Sequence, residues 1–107
     1  MLRISRFQVW IVQLNPTRGK EIHKTRPCVV VSPEEMATLS TIIVAPMTTK
    51  GFDYPFRVRC RFQGKRGLVL LDQIRAVDKS RLEKRLGALS KSAQQELCLR
   101  LQEMFVY

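Results

Sequence analysis

Histidine is all but absent from this chain. His23 stands alone among 107 residues, which rules out an acid–base scheme built on two histidines, and no Cys/His spacing suits a structural or catalytic zinc. Cysteine is scarce as well. Cys28, Cys60 and Cys98 are odd in number, widely spaced and free of any CxxC pair, so each reads as a small buried hydrophobe in a reducing compartment. Long apolar runs are missing: none approaches the roughly 18 residues of a membrane helix. The opening stretch MLRISRFQVW passes into alternating strand sequence without the apolar core of a signal peptide. A cytoplasmic protein with no membrane contact is expected. Acidic residues are few, 9 Asp and Glu against 19 Lys and Arg, for a formal net charge of +10. A polyanion is therefore the first partner to consider. Repeats, low-complexity tracts and linkers are absent too, which leaves a single domain over residues 1–107; a chain of this size buries roughly 65% of its unfolded surface.

What is present is a period of two. Phe7 to Leu14 alternates, with Phe7, Val9 and Ile11 on one face and Gln8, Trp10 and Val12 on the other, and stops at the turn signal Asn15-Pro16. Arg26 to Val31 forms a second strand whose Val29-Val30-Val31 run suits burial on both faces, and a helical turn follows over Pro33 to Ala37. Thr41 to Met47 is a third strand, which Pro46 marks as an edge or a strand end. Pro55 to Phe62 sets Phe56, Val58, Cys60 and Phe62 against a ladder of Arg57, Arg59 and Arg61. Gln63 to Gly67 turns the chain into a strong strand from Leu68 to Ile74. Asp78 to Leu86 reads as one or two helical turns, with Ser80 and Glu83 at capping-box spacing, before a short strand to Leu89. From Ser92, itself in capping-box spacing with Gln95, Leu97, Cys98, Leu101, Met104 and Phe105 recur at helical spacing. Five or six short strands, small connecting helices and one amphipathic C-terminal helix make a mainly β, mainly antiparallel barrel or half-barrel.

Chemistry concentrates between the first two strands, in the polar loop Asn15 to Pro27, NPTRGKEIHKTRP. With one histidine, phosphodiester chemistry falls to carboxylates, hydroxyls and guanidinium groups. RNA makes that feasible, because its own 2′-hydroxyl attacks the adjacent phosphate and the protein need only position the strand, move protons and stabilise the phosphorane charge. Arg26, held extended by Pro27, offers a planar fork for two phosphate oxygens and a permanent charge. Thr48, after the Pro46 break, offers a hydroxyl to a phosphate or to the 2′-oxygen. Glu21, the sole acid in the first 33 residues, sits among Arg18, Lys20, Lys24 and Arg26 and suits an ion-pair organiser better than a proton donor.

The loop NPTRGKEIHKTRP, the strand end Ala45-Pro46-Met47-Thr48-Thr49 and the segment Leu71-Asp72-Gln73-Ile74-Arg75 together resemble the MazF/PemK toxins, ribosome-independent mRNA endoribonucleases. The resemblance runs from about Gln8 to the C-terminal helix. It implies an SH3-like barrel of the plasmid-maintenance toxin type, a homodimer, no cofactor and no metal. It also implies sequence-specific cleavage of single-stranded mRNA to 2′,3′-cyclic phosphate and 5′-hydroxyl ends, and neutralisation by a cognate acidic antitoxin. The family's catalytic arginine and threonine correspond to Arg26 and Thr48, and its loop glutamate to Glu21. Ile22 stands where the family usually has glutamine, Lys20 where one branch has histidine, and Leu70 where that branch has a proton-donating arginine; that branch's His/Arg/Asp scheme does not carry over. Asp72 is left as a structural or proton-transfer residue. Strand alternation separates Asp72 from Gln73 and Arg75 unless the strand bends.

RNA affinity is expected from Lys20, Lys24, Thr49, Lys50, Gln73, Arg75 and the ladder Arg57, Arg59 and Arg61, joined by Lys65 and Arg66. Phe52 and Tyr54, on either side of Asp53 in a glycine-containing loop, are placed to stack unpaired bases as a mobile lid, whereas Trp10 belongs to the core. Two other readings stand beside this one. A non-catalytic gyrase poison similar to CcdB is disfavoured by the ending Phe105-Val106-Tyr107 in place of Trp-Gly-Ile. A plain single-stranded nucleic-acid-binding module needs only the basic ladder and the aromatics.

Overall fold

The computed structural model describes residues 3–107. Its strands are β1 (Gln8–Gln13), β2 (Thr25–Val30), β3 (Thr41–Thr48), β4 (Arg57–Phe62), β5 (Lys65–Leu70), β6 (Arg75–Asp78) and β7 (Leu82–Ala88), followed by one helix, α1 (Lys91–Phe105). They form an antiparallel sheet in the order β4-β5-β3-β2-β1-β7, with β6 also on β3. The sheet curls until its edges meet: Gln63 Nε2, at the β4–β5 turn, donates to Leu86 O of β7 at 3.2 Å, and the Phe62 ring packs over Gly87. The result is the expected mainly β half-barrel with one terminal helix, built from seven strands where alternation had predicted five or six.

Both faces of the central strands are covered, so β1 and β2 read as near-continuous apolar runs. Val9, Val29, Val31, Ala45 and Met47 face inward with Val58, Val69, Leu71 and Leu97 of α1. Trp10, Val12, Leu14, Cys28, Val30, Ile42, Val44 and Val77 form a second cluster on the opposite face. Each fully buried valine or leucine contributes about 1.5–3 kcal/mol. Trp10 is core as expected, 5% exposed, and its indole N–H donates to Gln8 Oε1 at 2.9 Å. Only one of the three cysteines is the buried hydrophobe expected of all of them: Cys28 is buried, while Cys60 and Cys98 are half-exposed.

Pro46 neither ends nor borders the sheet. It lies within β3 and is fully buried. Val31 N–H donates to Ile43 O at 2.9 Å, so by alternation the pair Cys28 and Pro46 is a non-hydrogen-bonded one. The proline nitrogen therefore points away from β2, toward the edge shared by β5 and β6, where it has no N–H to offer. On that edge the ladder breaks. Met47 and Thr48 pair with Val69 and Leu68; an unbroken register would then bring Asp72 opposite Val44, yet Arg75 is there. Three residues are looped out as the 3-10 turn Leu71–Gln73, so the strand expected to run from Leu68 to Ile74 ends at Leu70 and a new strand begins at Arg75. Lys65 and Arg66, assigned to a turn by sequence, belong to β5.

Two helix boundaries also move. The helical reading of Asp78 to Leu86 shrinks to the 3-10 turn Lys79–Arg81, because Leu82–Ala88 is recruited by β1 as an edge strand. The Ser80–Glu83 capping box does not form; Asp78 accepts the Ser80 N–H at 2.8 Å instead, and the Ser80 hydroxyl and N–H hold its carboxyl below the usual range. Helix α1 is capped by Ser90, whose hydroxyl accepts from Ala93 N–H at 3.3 Å, in place of the expected Ser92.

Candidate catalytic cleft and nucleic-acid interface

The β2–β3 ladder ends at Cys28 and Pro46. Continuing its register by two residues sets Arg26 opposite Thr48, but there the strands part, and a cleft of about 240 Å³ opens between them. Arg26, Pro27, Met47, Thr48 and Thr49 line it together with Cys60, Phe62, Gln63, Lys65, Gly67 and Leu86. The arginine and threonine chosen from separate motifs thus share one cavity. Arg26 is half-buried, and its Nε donates to His23 O at 3.3 Å, which leaves the other guanidinium N–H groups for an anion. Thr48 Oγ1 accepts from Lys50 N–H at 3.1 Å, which orients the hydroxyl and leaves its proton free to donate. Thr49 and Lys50 are exposed beside it. Gly67 lets β5 approach β3 here: a Cβ at Gly67 would sit 2.7 Å from Thr48 O. Sequence reasoning missed Cys60, Phe62, Gly67 and Leu86 as lining residues: alternation marks Cys60 and Phe62 only as one apolar face, and Gly67 and Leu86 fall in stretches read as a turn and a helical segment. Burial raises the Cys60 thiol above its ordinary value.

The DQIR segment lies outside this cleft. Glu21, Ile22, Asp72, Gln73 and Arg75 gather around Pro46 in a second hollow of about 350 Å³. The three-residue bulge frees Asp72 and Gln73 from alternation, and the polar groups here fasten neighbouring segments. Gln73 Oε1 accepts from Ile22 N–H at 2.8 Å, and Arg75 Nη1 donates to Leu14 O at 3.0 Å. Arg81 Nη1 donates to Gln13 O at 3.1 Å and to Asn15 O. The loop after β1 is thereby pinned at both ends. Within it, Glu21 accepts from Arg18 N–H at 2.6 Å and makes no ion pair with Arg26 among the described residues. Lys20 and Lys24 are exposed, the latter in the left-handed region at φ 67°.

The arginine ladder of β4 is not the uniform cationic face that alternation predicts. Arg57 forms a bidentate pair with Asp72, Nε to Oδ1 at 3.2 Å and Nη2 to Oδ2 at 3.1 Å, and Arg59 pairs with Asp53. Arg61, exposed, has no ion pair among the described residues. One acid 15 residues on and another 6 residues back neutralise two of the three. The free charge in this region lies on Arg61, Lys65 and Arg66; Arg61 and Arg66 line a groove, with Arg59, that runs into the Arg26–Thr48 cleft through Thr49, Cys60 and Gly67. Phe52 and Tyr54 are exposed on the loop that lends Gly51 and Asp53 to this groove. Among the described residues no three His, Cys, Asp or Glu side chains gather to hold a metal ion, and no helix is long and apolar enough to cross a membrane.

An antiparallel half-barrel with an arginine–threonine cleft at the parting of two strands defines a class. The chain belongs to the family of PemK-like, MazF-like toxins of type II toxin–antitoxin systems, whose pattern it matches over residues 5–105. It is 32% identical over 105 residues to the endoribonuclease PemK of Escherichia coli, covering 92% of this chain and 79% of PemK. It is 32% identical over 114 residues to the endoribonuclease toxin ChpB of Escherichia coli K12, covering 95% and 97% of the two chains. In fold it matches MazF from Deinococcus radiodurans with a TM-score of 0.83, at 24% identity over 97% of each chain. A mycobacterial endoribonuclease in complex with its cognate antitoxin superposes with a TM-score of 0.80, at 18% identity over 97% of this chain and 98% of that one.

Proposed function

We propose that this toxin is a metal-independent endoribonuclease that cleaves single-stranded mRNA in the cytoplasm at the Arg26–Thr48 cleft. The observation that carries this reading is the meeting of those two side chains in a cavity at the end of a cationic groove. The groove tracks the phosphate backbone without reading sequence, and the cleft receives the scissile phosphate. There the 2′-oxygen bonds to phosphorus, the bond from phosphorus to the 5′-oxygen breaks, and a cyclic phosphate and a 5′-hydroxyl result. The 2′-hydroxyl proton passes to a base and a proton reaches the leaving oxygen. Arg26 grips the non-bridging oxygens as their charge grows, and Thr48 donates its hydroxyl to the same group. Glu21 lines the neighbouring hollow and not the cleft, so its carboxylate, held by the Arg18 N–H, orders the loop that leads to Arg26, and solvent in the open cleft carries the two protons. Thr49 and Lys65 in the cleft, Lys20 and Lys24 on the first loop, and Lys50 and Arg61 beside the cleft guide the strand.

The family and the +10 charge support an acidic antitoxin that occupies the same groove, and the active species is a homodimer. The test is incubation of the antitoxin-free protein with a long unstructured RNA in EDTA, with fragment ends mapped. Wild type should make discrete cuts with cyclic-phosphate ends, and Arg26→Ala and Thr48→Ala should each lose about 10²- to 10³-fold in rate. Salt-sensitive binding without cuts would replace this reading with that of a binding module.

A further inference from the structure

Phe52 and Tyr54 sit on the loop that joins Thr48 to β4, and they are 66% and 60% exposed. Large aromatics so open to water are ordinarily mobile, yet these two are held. The Arg57 guanidinium lies over both rings, 5.0 Å from the Phe52 centroid and 5.8 Å from that of Tyr54. The rings meet edge to face with centroids 6.0 Å apart. Arg57 is itself immobilised, since its side chain is only 16% exposed and both of its outward N–H groups on one edge are spent on the two oxygens of Asp72. Between the rings, Asp53 is tied to Arg59 of β4. Ionic and cation–π contacts thus hold this loop to the sheet while much of each ring's surface stays open to solvent.

The loop also lies beside the cleft. A Cβ placed on Gly51 would be 3.9 Å from Arg57 Nη1 and 3.9 Å from Thr48 Cγ2. The guanidinium and the threonine are therefore no more than twice that distance apart, about one nucleotide of an extended strand. Both carboxylate oxygens of Asp72 are engaged and the residue does not line the Arg26–Thr48 cleft, which fits an anchor and not a proton carrier.

We infer that Phe52 and Tyr54, held by Arg57, form a stacking site for the unpaired base next to the scissile phosphate, with Asp72 as the positioning residue that keeps the site in place. The inference rests on the endoribonuclease reading above. An aromatic face backed by a cation attracts the π-system of any base, so the site adds affinity with little sequence preference. Its pre-ordering lowers the entropic cost of capturing a flexible strand.

The test uses oligonucleotides spanning a mapped cut site, blocked by a 2′-O-methyl group at the cut and carrying 2-aminopurine at successive positions. On wild type, one position beside the cut should lose fluorescence on binding. Phe52→Leu with Tyr54→Leu should abolish that quenching and weaken binding roughly 10- to 100-fold. Asp72→Asn should raise KM at least several-fold while the single-turnover rate at saturating RNA and its pH profile stay unchanged. Should Asp72→Asn fail to fold by thermal unfolding, Arg57→Lys, which keeps the charge and loses the bidentate grip, takes its place with the same expected split. Wild-type affinity and quenching in the double leucine variant would overturn the stacking site. A shifted pH profile with unchanged KM in Asp72→Asn would return that residue to proton transfer and overturn its positioning role. A wild type that cuts no RNA at all would instead refute the endoribonuclease reading.

Discussion

Gly67→Ala offers a test of the cleft that touches no charged or hydroxyl group. The added methyl would sit 2.7 Å from Thr48 O, some 0.7 Å inside the 3.4 Å at which ordinary contact begins. The obstructing atom is backbone, not the tip of a flexible side chain, so β3 and β5 must move apart beside Thr48. Overpacking of this kind costs about 1–3 kcal/mol, and each kcal/mol lowers Tm by roughly 4–8 °C in a domain of this size. The catalytic effect is larger in proportion. A displacement of this order at a reacting group costs about 10- to 100-fold in rate, given that about 1 Å costs 10²-fold. The assay is single-turnover cleavage in EDTA at a temperature where circular dichroism shows the variant folded. Gly64→Ala is the control: at φ 78° with nothing within 4 Å of its Cβ position, it costs about 1–2 kcal/mol of backbone strain without moving Thr48. Gly67→Ala cutting as fast as wild type, or Gly64→Ala losing as much activity, would refute the argument that strand spacing at Thr48 sets the rate.

Burial pushes the Cys28 thiol up from 9.0 to about 12. The unfolded chain therefore sheds this proton first, so the stability the thiol contributes is intact below pH 9 and is lost as pH rises toward 12, by up to about 1.4 kcal/mol per pH unit. Denaturant curves of Cys28→Ala should fall less steeply over that window than those of wild type, and equal slopes would contradict the assignment. Lys65→Ala and Arg61→Ala should each weaken RNA binding uniformly across sequences and lower the salt slope by about 1, whereas a change in cut-site choice would make either residue a base reader.

The chain's local pattern determined a good deal by itself. Alternation of period two set β1 to β4, the helical spacing of Leu97, Leu101 and Met104 set α1, and the loop and strand-end motifs singled out Arg26 and Thr48. These properties are written over short stretches, because a residue's face and its backbone preference depend on near neighbours. The partners of the remaining charges were decided only by tertiary structure. Arg57 and Asp72 are 15 residues apart and Ile22 and Gln73 are 51 apart, and no local period encodes such pairings. The bulge after β5 follows from which edge of β3 the Pro46 nitrogen faces, a matter of register between strands. Alternation alone therefore read the β4 arginines as one open cationic ladder and Leu68 to Ile74 as one strand. Burial and charge pattern show which face a side chain takes, while its partner is set by how distant strands align.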